Sequence, residues 1–176
     1  MNRLCREKEL KSNVPMGSEA QEVTKKVLAD LFWESDGKPV MYRKRLVHAA
    51  VLRHVTKPGR FAVRFIKAVK TPLQALSIDI DRGKLLIAGV EASNMILRLD
   101  TSPKIVDVRY FPSHQGDRIA IYNSWINKKG GIDSWIVNAG MVVEETGNKM
   151  ILRCSDGLGE PTFDDLIVEI EFLDNS

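Results

Sequence analysis

The hydrophobic rhythm of the chain changes at Thr71-Pro72, and that change limits the folds open to it. Beyond Pro72, apolar residues recur at every second position: Leu76, Ile78 and Ile80, then Leu85 and Ile87, then Met95, Leu97 and Leu99. Successive side chains of a strand point to opposite faces, so this period marks strands with one buried face. The segments 104–111, 117–126, 132–138, 141–146, 149–154 and 165–172 continue it, separated by Gly, Asn, Asp and Pro. Roughly seven or eight short strands with no helices between them predict an antiparallel sandwich, jelly-roll-like or barrel-like.

Three turns propose registers. With Arg82-Gly83 as a two-residue loop, Ile80 faces Leu85, Ile78 faces Ile87 and Asp81 faces Lys84. Gly147-Asn148 sets Val143 opposite Leu152 and Met141 opposite Cys154. Lys128-Lys129-Gly130-Gly131 closes a third hairpin and makes Trp125 and Trp135 direct or diagonal neighbours.

Before Pro72 the period is helical. Val23, Val27 and Leu31, with Leu28 and Phe32 beside them, predict a helix from Glu22 to about Trp33, stopped by Ser35-Asp36-Gly37-Lys38-Pro39. Leu46, Val47, Ala50, Val51 and Val55 predict a second, over Val40 to Val55. Residues 60–70 read as a third, although Phe61, Val63 and Phe65 also alternate as in a strand. Residues 1–20 are polar and read as a flexible arm. The expected architecture is α+β: an arm over 1–20, a basic helical segment over 21–71 and an antiparallel β-sandwich over 72–176.

A chain of 176 residues, 44% hydrophobic, can build a real core. Its net charge of +3 excludes nothing, but the distribution is uneven. Residues 1–70 carry 16 Lys or Arg against 7 Asp or Glu, a balance of +9, whereas the remainder carries −6. Arg43, Lys44, Arg45, Arg60, Arg64 and Lys67 form a candidate basic surface within 22–70. It would suit phosphate backbones, an acidic partner, or docking against the acidic C-terminal part.

Two further groups invite a ligand. Trp125 and Trp135, with Tyr122 and Asn123 alongside, would form a platform for a sugar or peptide, or a Trp pair in the core. Asp156, Glu160, Asp164 and Asp165 crowd a loop containing Gly157 and Gly159, the oxygen-rich and bendable setting that calcium takes. That loop, running into Phe163-Asp164-Asp165-Leu166 and an alternating strand, resembles loops of calcium-dependent bacterial β-sandwich adhesin and lectin modules. It departs from them in having fewer acidic residues and in Pro161. The resemblance implies a structural calcium ion held by those four carboxylates; without it, Asp156-Gly157 makes a turn and Asp164 and Asp165 hydrogen-bond backbone amides.

Catalytic signatures are missing: no Walker loop, no GxGxxG after a strand, no GxSxG and no HExxH. Cys5 and Cys154 share no metal-binding or redox spacing. The chain opens on no apolar leader and holds no run approaching roughly 20 apolar residues, so a cytoplasmic, membrane-free protein is expected. The expectation is a non-catalytic recognition or assembly module whose sandwich binds a protein (self-assembly included) or a glycan. The alternative is nucleic-acid binding through the N-terminal helices.

Overall fold

The computed structural model describes residues 26–173; the arm expected over 1–20 lies outside them. In chain order the elements are α1 (Leu28–Glu34), β1 (Val40–Tyr42), β2 (Arg45–His48), β3 (Val51–Val55), β4 (Gly59–Ala68), β5 (Leu73–Ile80), β6 (Gly83–Ile87) and β7 (Val90–Ala92). They continue as β8 (Asn94–Arg98), β9 (Ile105–Pro112), β10 (Asp117–Ile126), β11 (Ile132–Asp133), β12 (Asn138–Thr146), β13 (Lys149–Gly157) and β14 (Leu166–Leu173).

These strands form two antiparallel sheets. The larger runs β1-β2-β12-β13-β14-β4-β9-β6-β7, and the smaller runs β11-β10-β5-β8, with β3 also paired to β10. Both sheets are open, so the sandwich-like reading holds and the barrel does not. The core lies between them. Phe61, Val63, Val108, Met141, Leu152, Val168 and Ile170 enter it from the large sheet, and Leu76, Ile78, Ile119 and Ile121 from the small one. Among the described residues no helix is long and apolar enough to cross a membrane.

The basic helical segment is corrected. Among its described residues only α1 is helical; residues 40–68 form four strands, and β4 sits between β14 and β9 inside the large sheet. The reason is local. Arg43 and Lys44 both take left-handed φ values, 47° and 65°, and Tyr42 pairs with Arg45 across them. That is a two-residue hairpin turn of the type that usually advertises itself with Asn-Gly. In β4, Phe61, Val63 and Phe65 are buried while Arg60, Arg64 and Ile66 are exposed, so the weaker alternation was the one that mattered.

The hairpin expected across Arg82-Gly83 is corrected as well. β5 pairs with β10 and β8, whereas β6 pairs with β9 and β7. Asp81-Arg82 therefore carries the chain from one sheet to the other. Gly83 is needed at the crossing: a Cβ there would stand 2.5 Å from the Phe111 carbonyl oxygen, at a φ of +159°. Ile78, Ile80 and Leu85 still face one core, but from opposite sheets. The Gly147-Asn148 hairpin forms as expected, with Met141 opposite Cys154 and Val143 opposite Leu152.

Candidate functional site

Helix α1 is short, and its hold on the sandwich is polar at one end and apolar along one side. The amides of its first turn lack partners within the helix. Leu28 N–H donates to Asn138 Oδ1 at 3.2 Å and Ala29 N–H to the Val137 carbonyl at 2.8 Å. Leu28 and Phe32, one turn apart, bury themselves against Val47 and Phe163. Gly140 lets them approach: a Cβ at that position would lie 2.9 Å from Val47 Cγ1 and 3.2 Å from Leu28 Cδ1. Ser35 N–H and Gly37 N–H then close the C-terminus on the Leu31 and Phe32 carbonyls. With that face buried, Trp33 is turned into solvent, 89% exposed.

The segment that receives the helix is strained. Trp135 and Val137 have φ values of 58° and 51°. For a β-branched residue this is a true outlier, and such backbone costs about 1–3 kcal/mol per residue. The strain leaves Trp135 half exposed but fixed. Its Nε1–H donates to the Ala49 carbonyl at 3.1 Å, and its ring lies 4.3 Å from that of Tyr122. Tyr122 is itself anchored, its hydroxyl donating to Asp79 Oδ2 at 2.9 Å. Burial, aided by the hydrogen bond to Asp79 and that residue's charge, pushes the Tyr122 phenol up to about 12. Between Trp33 and Trp135 lies an open cleft of about 330 Å³, also lined by Ala29, Phe32, Asp36 and Gly37.

No protein-family model matches this chain, and no curated protein or solved structure matches it. The site therefore rests on its geometry.

Of the four aromatic and amide residues expected to contact a ligand, three are buried, Tyr122 beneath the Trp135 ring. Trp125 is 2% exposed, and Asn123 is buried with its Nδ2 donating to the Ser155 carbonyl at 2.7 Å, joining the two sheets. Trp125 pairs with Asp133, not with Trp135, because the chain leaves β11 after two residues and turns toward β12. The cross-strand Trp pair is thus corrected: Trp135 stacks on Tyr122 instead. Trp33 was missed, although a tryptophan off the Leu28–Phe32 stripe is a legible signal.

The four acidic residues do not converge. Asp156 is buried and accepts Gln74 Nε2 and Leu158 N–H; burial holds its carboxyl above the ordinary range despite those bonds. Asp165 accepts the Asp156 amide and the Thr162 hydroxyl. Glu160 takes Arg43, and Asp164 takes Lys67 and Arg153. Among the described residues no group of three or more His, Cys, Asp or Glu is placed to hold a metal. Asp156 and Asp165 thus accept backbone amides, whereas Glu160 and Asp164 are taken up in ion pairs.

Three of the six basic residues are ion-paired within the chain. Arg43 meets Glu160 at 2.6 Å, Arg64 meets Glu169 at 3.3 Å and Lys67 meets Asp164 at 3.0 Å. The Arg45 guanidinium lies 5.8 Å from the Phe163 ring centroid, Arg60 faces Leu173 and Arg109 across the sheet, and Lys44 stays exposed on its turn. The helix that would enter a nucleic-acid groove over residues 61–70 is mostly β4. Cys154 is buried, and burial pushes its thiol far up, as suits a small core hydrophobe.

Proposed function

We propose that this protein is a non-catalytic recognition module that binds a partner protein through the cleft between Trp33 and Trp135. One observation carries the reading: two tryptophans face one surface cleft, Trp33 on the docked helix α1 and Trp135 pinned by Ala49 and Tyr122 without any ligand. Large apolar rings left in water are a standing cost, and tryptophan is enriched among the anchors of protein interfaces. The pinned Trp135 ring reduces the entropy lost on binding. The exposed residues that follow Trp135, Ile136 and Val137, are aliphatic, which suits a protein surface better than a sugar. The cleft's one charged side chain is Asp36, and it holds no nucleophile paired with a base.

The test compares the full chain with Trp33→Ala in co-purification from the native source, alongside a thermal melt. The wild type is expected to retain a stoichiometric partner. Trp33→Ala should lose it, with affinity reduced roughly 30-fold or more, while the melt stays unchanged. A partner held equally by both forms would remove the cleft from the interface.

A further inference from the structure

A second cleft opens at the end of the sandwich where three connections meet. The β4–β5 link brings Lys70 and Leu73, the β10–β11 turn brings Ile126, Lys128 and Lys129, and Leu158 follows β13; the space they enclose is about 600 Å³. That volume is in the range of small-molecule sites, which pair apolar walls with a few placed polar groups. Nothing in the recognition reading above uses it.

Its walls are held in place before any ligand arrives. Leu158 is 61% exposed, and its amide donates to Asp156 Oδ1 at 3.0 Å. Asp156 is in turn fixed by Gln74 Nε2 at 3.0 Å, and both of these polar residues are buried. A buried carboxylate with a dedicated amide behind it thus holds out an exposed leucine. Across the cleft, Asn127 Oδ1 accepts the amides of Lys129 and Gly131, at 2.9 and 3.0 Å, so the lysine turn is equally ordered.

The lip is cationic. Lys70, Lys128 and Lys129 are exposed, and none has a carboxylate within ion-pair distance among the described residues. The one acid lining the cleft, Asp133, accepts Asn127 Nδ2 at 2.9 Å. Lys67, at the end of the same β4, is by contrast matched to Asp164. Apolar walls beneath unmatched ammonium groups are complementary to a molecule with an apolar body and an anionic head. We infer that this cleft binds a small amphipathic organic anion, its carboxylate or equivalent at the lysines and its apolar part against Leu73, Ile126 and Leu158.

The probes are octanoate and 1-octanol, which share a chain and differ in charge, titrated into the full-length protein and followed by backbone amide shifts. Octanoate should bind saturably, moving the amides of residues 70, 71, 73, 126–129 and 158, and roughly tenfold more tightly than 1-octanol. Combined Lys70→Glu, Lys128→Glu and Lys129→Glu should erase that preference without changing the thermal melt, the three side chains being in solvent. Leu158→Ser should weaken both probes alike. Equal binding of the two probes, shifts elsewhere, or octanoate binding indifferent to the charge reversal would overturn the inference. So would tighter binding of an acidic leucine-bearing peptide than of octanoate, which would give the cleft to a protein. Trp33→Ala should leave octanoate binding intact, so this inference and the partner-binding reading fail independently.

Discussion

The outer faces of the two sheets are finished in different ways. On the large sheet, charges are matched across neighbouring strands: Arg64 with Glu169, Lys149 with Glu169 and Glu171, Arg153 with Glu144. On the small sheet, Asp79 accepts Tyr122 and Asn94, Ser77 bonds Ser124, and Trp135 lies over Tyr122. The first face answers these charges from within, although Arg60 stands opposite Arg109 and Ile66 is exposed there. The second supports an aromatic that remains half exposed with its polar neighbours already engaged. Under the proposed reading, side chains left unanswered are a better guide to contact than charge density.

Three substitutions sharpen or break that contrast. The largest effect belongs to Trp125, which sequence pattern alone would group with Trp135. Trp125→Ala should cost roughly 3–5 kcal/mol as a core truncation, measured by urea denaturation; a loss below about 1 kcal/mol would mean the ring is not core. Tyr122→Phe should cost about 1–2 kcal/mol, the worth of a hydrogen bond to a carboxylate. Tyr122 also carries a signed pH dependence. Its folded-state phenol sits near 12, above the ordinary value of 10, so the native state holds that proton more tightly. The resulting stability is complete below pH 10 and fades as pH rises through 12. An alkaline denaturation series on wild type and Tyr122→Phe should show that decline in the former only. Smallest is Arg64→Ala on the ion-paired face, at about 0–1 kcal/mol because the pair is exposed. A larger loss, unscreened by salt, would show that face to be more than solvated ornament.

Alternation gave away the strands and which way each faces, but not which sheet each joins. Gly147-Asn148 fixes a register by itself, and there Met141 meets Cys154 as expected. Asp81-Arg82-Gly83 is as turn-like, yet it bridges the sheets, since Ile80 and Leu85 satisfy one core from either side. The N-terminal strands were hidden for two reasons. Arg43-Lys44 makes a left-handed turn without the usual residues, and Val47, Val51 and Val55 fall at a spacing a helix also produces. Trp135 and Tyr122 stood out by composition. What binds them together, the left-handed backbone at Trp135 and Val137 and the docking of α1, comes from contacts with Ala49, Ala29 and Asn138, too distant in sequence for any local pattern to register.

The place of β4 has a consequence for how the protein is made. Its neighbours are β9 and β14, and Phe61 comes to rest opposite Phe172, near the far end of the described chain. During synthesis, therefore, Phe61, Val63 and Phe65 emerge long before the strand that will cover one side of them exists. Pairings this distant close slowly and leave sticky edges bare in the interval. One edge of β4 therefore stays unpaired until β14 is made, and a chain cut short of that point would present an adhesive, half-finished sheet.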